Sequence, residues 1–388
     1  MDFTSSPATQ GPAGPLRGLR VIEFGQVIAA PFATAILADL GADVIKVERP
    51  DGGDDARYMG PPFRNGDALN FHVFNRGKRS VALDLKSAAG RAEAHLLVAS
   101  ADVLVHNLRP GVAEALGFGA QPLCAAHPSL IYCGISAFGG SGPMRASPGY
   151  EPLVQAFSGM FCVNGGPDDP PMRVGPSVCD QGAGMWAVIG ILSQLQARAL
   201  TGRGGVVETS LLETALGWLG PKLDSYINEG LAPKKHASGH PDFVPYQRFE
   251  ASDGPLLICA GNDRLFAKLA VVLNRADWVE DTRFATNRAR LAHRHLLIGE
   301  IDAIVGSQPR GAWMQRFDAA GIPHAPIHRI EEIAAHPQVE ALGIRQSVAH
   351  TDYRLVGLPI VFDGERLPLR GEAPPLAPRG TQATWATP

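Results

Sequence analysis

From Leu19 onward the chain alternates short aliphatic, β-branched runs with helical segments, the pattern of a parallel sheet whose strands are joined by crossover helices. Residues 20–24 read as the first strand. Residues 31–40 read as a helix with a proline at its start, closed by Gly41 before a second strand over 44–48. Further strands are expected at 80–85, 102–107 and 130–136, with helices at 88–100 and 112–116, and together they describe a Rossmann-like half. A long helix over 182–200 ends at Thr201-Gly202-Arg203-Gly204-Gly205, a polar, glycine-rich stop, and 206–219 continues as strand then helix. Periodicity is then lost over 229–245, which marks a long loop or a domain crossing. A second α/β segment follows, with a strand at 255–260 and helices near 265–273, 295–305 and 312–320. Residues 365–388 are proline-rich and read as an extended tail.

At about 150 residues per domain, 388 residues allow two or three domains. The 35 basic and 38 acidic residues nearly balance, so charge points to neither a nucleic-acid nor a membrane-surface partner, and a small-molecule enzyme is the class left standing. The five cysteines are odd in number and form no CxxC pair. That argues against a disulfide framework and a zinc site, and fits a reducing cytoplasm. Residues 1–15 are rich in Pro, Gly, Ser and Thr, without the basic start and apolar core of a secretory signal, and read as a disordered leader. No run approaches the ~18 apolar residues of a membrane span.

The turn after the first strand reads Gly25-Gln26-Val27-Ile28-Ala29-Ala30-Pro31, without the GxGxxG that lets a backbone approach a pyrophosphate, and no GxxxxGK[ST] occurs anywhere. A nicotinamide oxidoreductase and an ATP-dependent ligase are both demoted. The histidine pairs His236/His240, His293/His295 and His324/His328 lack Cys or acidic neighbours at ligand spacing and read as ordinary loop and surface residues, so no metal is expected. Arg49, Lys78, Arg79, Lys86 and Arg109 fall at or just beyond strand ends, where ligands of open parallel sheets bind; each is equally well a solvated surface cation. Gly149-Tyr150-Glu151 opens a helix with an acid in its first turn, where the helix dipole favours it. In Arg173-Val174-Gly175-Pro176-Ser177-Val178-Cys179-Asp180-Gln181-Gly182-Ala183-Gly184 one carboxylate stands among small residues at the mouth of an apolar helix. Asp180 is a candidate covalent nucleophile, with helix N-cap as the plain alternative.

The order of several segments carries a resemblance. Pro15-Leu16-Arg17-Gly18-Leu19-Arg20-Val21-Ile22-Glu23, Ala38-Asp39-Leu40-Gly41-Ala42-Asp43-Val44-Ile45-Lys46-Val47-Glu48, Asn75-Arg76-Gly77-Lys78-Arg79-Ser80, Asn107-Leu108-Arg109-Pro110-Gly111, Gly149-Tyr150-Glu151 and Thr201-Gly202-Arg203-Gly204 resemble the family III CoA-transferases, which include the formyl-CoA and carnitine CoA-transferase types. The resemblance implies transfer of CoA from a donor acyl-CoA to an acceptor carboxylic acid, with Asp180 as the nucleophile and aspartyl anhydride and aspartyl-CoA thioester intermediates. It implies CoA contacts at Gln26, Arg49, Leu85, Lys86, Asn107, Leu108 and Arg109, and substrate contacts at Ile28, Tyr150, Glu151 and His240. CoA and acyl-CoA are then substrates, and no tightly bound cofactor is implied.

The same resemblance implies a homodimer interlocked like two rings. Its large Rossmann-like domain would take residues 16–224 with 326–388, and its small α/β domain 225–325. Two departures argue against formyl or oxalyl specificity: Ile28 stands where formyl-CoA transferases carry a glutamine, and Ala237-Ser238-Gly239-His240-Pro241 replaces their run of glycines. A cation near His240 would favour a dicarboxylate such as succinate. The alternative is an α-methylacyl-CoA racemase, which resembles this chain but uses a His-Asp pair where Tyr150-Glu151 stand here; tyrosine, with a reference pKa of ~10, is a poor base near neutrality.

Overall fold

The computed structural model describes residues 14–382 and 384–386, so the leader expected over 1–15 lies, except for Gly14 and Pro15, outside the described residues. Gly14 is held in place: its carbonyl accepts from the Arg17 amide (3.0 Å), while the Leu16 amide donates to the Leu40 carbonyl (2.9 Å). The chain divides into two compact units. The first is built from the chain up to Met160, from Val174–Asp224 and from Pro337 onward; the second from Phe161–Arg173 and Ser225–His336.

The first unit carries β1 (Arg20–Phe24), α1 (Ala29–Asp39), β2 (Asp43–Glu48), α2 (Leu69–Asn75), β3 (Arg79–Ala82), α3 (Ala88–Ala99), β4 (Val103–His106), α4 (Val112–Ala115), α5 (Ala120–Ala126), β5 (Ile131–Ser136), α6 (Glu151–Phe157), α7 (Val178–Thr201), β6 (Val206–Ser210) and the start of α8 (Leu211–Glu229). The six strands form one parallel sheet in the order β3-β2-β1-β4-β5-β6. Ile22 stands between Ile45 and Leu104 in register. Such a sheet is covered on both faces, so its strands are expected to be apolar throughout. Val21, Ile22, Val44, Ile45, Val103 and Leu104 obey this, whereas Glu23 and Lys46, in the adjacent strands β1 and β2, are fully buried as well.

Those charges are buried because they are paired. Glu23 takes Lys46 Nζ on one oxygen and Lys78 Nζ on the other, each at 2.8 Å, and accepts the Thr34 hydroxyl at 2.6 Å. Lys46 Nζ also pairs with Asp54 Oδ2 at 2.8 Å. Burial alone would raise the Glu23 carboxyl, but the two ammonium groups outweigh it and hold it down to about 2. For Lys78 burial wins and pushes the ammonium down to about 8.

Small residues let helices approach closely around the start of α7. A Cβ on Gly184 would lie 2.8 Å from the Ala29 carbonyl oxygen, and one on Gly182 2.5 Å from a Thr214 methyl. The small residues flanking Asp180 therefore seat the first turns of α7 against α1 and α8. At its far end α7 stops where expected, at Gly202 in a left-handed conformation (φ 71°), whose amide returns to the Arg198 carbonyl (2.8 Å). Among its described residues, the tail expected to be extended contains no helix or strand beyond residue 365. It lies on the first unit, where the Glu372 carbonyl accepts from the Gly77 amide (3.0 Å) and the Pro374 carbonyl from Arg57 (3.0 Å).

The second unit has an antiparallel sheet in the order β9 (His324–Pro326), β8 (Gly254–Cys259), β7 (Tyr246–Ala251), covered by α9 (Asp263–Val272), α10 (Asn287–Ala292), α11 (Arg294–Val305) and α12 (Arg310–Ala320). Its core is aromatic, with Phe249, Phe266, Trp278, Phe284, Trp313 and Phe317 buried together. Its extent differs from the expected 225–325 at two places. Residues 161–173 join it because the Ala237 amide donates to the Gly165 carbonyl (2.9 Å) and Lys235 Nζ to the carbonyls of Asp169 and Pro170 (2.8 and 2.9 Å). Residues 326–336 join it because Pro326 pairs with Leu256 in the sheet.

Candidate active site

In a sheet ordered 3-2-1-4-5-6, the connections leaving β1 and β4 diverge and open a crevice at the carboxyl ends of those two strands. Gln26 and Asn107 face each other there: the Gln26 amide donates to Asn107 Oδ1 (2.9 Å), and Asn107 Nδ2 donates to the Gln26 carbonyl (2.8 Å). Leu108 follows, its amide donating to His106 Nδ1 (3.1 Å). Ile28, partly buried, occupies the N-cap position of α1 without a side-chain cap. Between Gln26 and Ile28, Val27 adopts φ 65°, a left-handed conformation that costs a β-branched residue roughly 1–2 kcal/mol. Gln26, Ile28, Asn107 and Leu108 are thus brought together at the crevice, with Arg109 exposed beside them, its backbone carbonyl accepting from the Val112 amide (2.9 Å).

The other expected CoA contacts sit further out. Strand pairing of β3 ends at Ala82, so Leu85 and Lys86 lie in the turn entering α3; Leu85 packs against the core while Lys86 is exposed. Arg49, just past β2, is exposed. Its guanidinium is engaged locally, donating to the Gly53 carbonyl (3.0 and 2.9 Å) and pairing with Asp55 (2.5 Å).

Asp180 is not the cap of its helix. Ser177 holds the N-cap position, and α7 begins at Val178, which places Asp180 in the first helical turn. The start falls earlier than the expected residue 182 because Cys179 is already fully buried. No hydrogen-bond donor of the described residues reaches the Asp180 carboxylate. Burial, and second the charge of Glu151, push it up to about 7, against the pull of the helix dipole. Glu151 opens α6 and is itself buried. Its Oε1 accepts from Gln155 Nε2 (2.6 Å) and from the Cys179 amide (3.3 Å), while Oε2 is buried with no hydrogen-bond partner among the described residues. Tyr150 is exposed at the N-cap position of α6, adjacent in sequence to Glu151.

Chemically, this is a desolvated carboxylate that ionises near neutrality. Such a group is a stronger nucleophile toward an acyl carbonyl than one held by several donors.

His240 belongs to the second unit. Its ring packs against Phe243 and Tyr246 (centroids 4.8 and 5.4 Å), and its Nδ1 accepts from the Asp242 amide (3.1 Å). The same unit holds a cavity of about 700 Å³ whose lining includes Lys234, Lys235, His236, Arg294 and His295 and no carboxylate. Sequence reasoning missed Gln155, which clamps Glu151 and also exchanges hydrogen bonds with the Val174 backbone (2.9 and 3.3 Å). Its one signal is the helical i, i+4 spacing from Glu151. It also missed Asp54, whose position in a glycine-flanked loop gives no sign that it is buried.

Comparison with known proteins shows the family. The CoA-transferase family III signature matches residues 16–379. The chain is 40% identical over 331 residues to the acetyl-CoA:oxalate CoA-transferase of Acetobacter aceti, covering 85% of each protein. It is 37% identical over 374 residues to the succinate–glutarate CoA-transferase of Agrobacterium fabrum, covering 93% of this chain and 92% of that one. A crystal structure of a CAIB/BAIF family protein from Brucella suis superposes with a TM-score of 0.85 at 36% identity, covering 94% of this chain and 97% of the other. Fold and relatives together define an enzyme that moves CoA between acyl-CoA thioesters and carboxylic acids. The chain belongs to CoA-transferase family III, and the racemase alternative is not favoured.

Among the described residues no helix is long and apolar enough to cross a membrane.

Proposed function

We propose that the enzyme works by covalent exchange at Asp180, a reading carried by the burial-raised carboxyl of that residue beside the unpartnered Glu151 Oε2. The Asp180 carboxylate attacks the donor thioester carbonyl, breaking the C–S bond to give a mixed aspartyl anhydride and CoA thiolate. The thiolate attacks the aspartyl carbonyl, releasing the donor acid and leaving an aspartyl-CoA thioester. The acceptor carboxylate attacks that thioester, and the thiolate so freed attacks the acceptor carbonyl of the second anhydride, giving acceptor acyl-CoA and the original carboxylate. Each step exchanges one acyl bond for another of similar energy, with no net proton transfer, so neither ATP nor a tightly bound cofactor is needed. CoA lies along the crevice formed by Gln26, Asn107 and Leu108, with Lys86, Arg109 and Arg49 toward its phosphates; Arg49 must exchange Asp55 for phosphate to do so. Ile28, Tyr150 and Glu151 shape the acyl pocket.

The acceptor in this reading is a short dicarboxylic acid. Two relatives are named for oxalate and glutarate, both dicarboxylic acids. The five cysteines are unpaired, which suits an enzyme of the reducing cytoplasm.

The reaction requires Asp180 to be ionised. Because its carboxyl is raised to about 7, kcat/KM is expected to rise with pH through about 7 and level off above it. Glu151→Gln keeps an acceptor for the Cys179 amide but removes the neighbouring charge, so the acid limb should move to lower pH by part of the shift, burial supplying the larger share. A pH profile of the variant that superimposes on the wild type would remove Glu151 from this role.

The working form is proposed to be an interlocked homodimer. On α7 the side chains of Met185, Trp186, Ile189 and Leu192 are exposed at i, i+1, i+4 and i+7, an apolar stripe that a soluble monomer rarely leaves open. Sedimentation should give twice the 41.1 kDa chain mass. A stable monomer would contradict it.

A further inference from the structure

We propose that Asp54 is a positioning residue for CoA: its buried carboxylate holds the turn after β1 in the left-handed shape that presents Gln26 to the crevice. The inference rests on the reading that CoA occupies that crevice. Val27 stands at φ 65°, where a β-branched residue stays only if its surroundings impose it.

What imposes it is the loop after β2. The Val27 amide donates to Asp54 Oδ1 (3.0 Å), an oxygen that also accepts from the Ala56 amide (2.9 Å). Asp54 Oδ2 pairs with Lys46 Nζ (2.8 Å), and the same ammonium donates to the Gly25 carbonyl (2.8 Å). One buried ion pair therefore grips the turn at Gly25 and at Val27, while Asn107 grips both backbone groups of Gln26 between them. Lys46 cannot drift, because Glu23 holds it from the other side. Without Asp54, Val27 relaxes toward negative φ, and the Gln26–Val27 peptide turns away from its place at the crevice.

The test is steady-state kinetics of the full-length enzyme with a succinyl-CoA donor, together with calorimetric titration of CoA. Asp54→Ala should raise the KM for acyl-CoA and the Kd for CoA about tenfold while kcat stays within about twofold, since the lost interaction shapes binding rather than the reacting atoms. Adding Val27→Gly should recover most of that loss, because glycine adopts positive φ at no steric cost. A purely structural role for Asp54 would not be rescued by removing a side chain. Should Asp54→Ala fail to fold, Asp54→Asn reads the share carried by the ion pair: it keeps an acceptor for the Val27 amide but not the charge facing Lys46, so a smaller rise in KM and Kd, again recovered by Val27→Gly, is expected.

Unchanged KM and Kd, or a loss that Val27→Gly leaves untouched, would overturn the inference. Lys86→Ala with Arg109→Ala separates it from the reading beneath it. If that pair weakens CoA binding and the Asp54 variants do not, only the positioning role falls; if neither affects binding, the crevice reading falls and takes the positioning role with it.

Discussion

Asp180→Asn is expected to reduce CoA exchange by at least about 10³-fold, because the amide cannot form the anhydride that begins the cycle. The same substitution should make the protein more stable. The Asp180 carboxyl is raised from 3.8 to about 7, so the folded state holds a proton over that interval that the unfolded chain has released. Stability associated with this group is fully present below pH 3.8 and is lost as pH rises to about 7. The neutral asparagine escapes that loss. Its advantage should appear above about pH 4, grow to about 1–3 kcal/mol once discounted for partial solvent access, and remain constant above about pH 7. Thermal unfolding of both proteins at pH 4, 6 and 8 reads the difference directly. An active asparagine variant would remove Asp180 from the chemistry, and a variant less stable at pH 8 would contradict the burial argument.

The second large effect is expected at Glu23. Glu23→Gln strips the shared partner from Lys46 and Lys78 inside the sheet, and leaving buried charge uncompensated costs about 3–5 kcal/mol. The lower end is favoured, because Lys78 is already pushed down to about 8 and sheds its proton near neutrality once Glu23 is gone. The melting temperature should fall by roughly 6–20 °C. The pH dependence gives a separate signature. Glu23 is lowered from 4.5 to about 2, so its contribution is present above pH 4.5 and disappears as pH falls toward 2. Wild type and variant should therefore converge in stability over that window. Parallel curves down to pH 2 would show that the ion pairs do not stabilise the fold.

These two residues mark what the sequence makes legible and what it does not. The first two strands are readable because Val21-Ile22 and Val44-Ile45 are β-branched and bounded by turns, and the glycine stop at Gly202 is readable from composition. Glu23 and Lys46 are not readable as a pair, since nothing local says that two strands lie side by side in a register matching Glu23 with Lys46. β7 is missed for a related reason: in Tyr246-Gln247-Arg248-Phe249-Glu250-Ala251 only Phe249 and Ala251 turn to the core, too few inward residues to declare a strand. The membership of 161–173 in the second unit depends on contacts with residues some seventy positions away. At the site, Asp180 stands out by its small neighbours, which the packing of α7 on α1 and α8 explains. Its raised pKa comes first from burial and second from Glu151, nearly thirty residues earlier, and only the fold brings the two together.

The most direct measurement is mass spectrometry of the enzyme after incubation with a panel of acyl-CoA donors, succinyl-CoA and acetyl-CoA among them, with borohydride or hydroxylamine trapping and peptide mapping. A donor-dependent adduct on Asp180, absent from Asp180→Asn, is the predicted result. An enzyme that exchanges CoA at full rate while no donor leaves any mark on Asp180 would contradict the covalent mechanism.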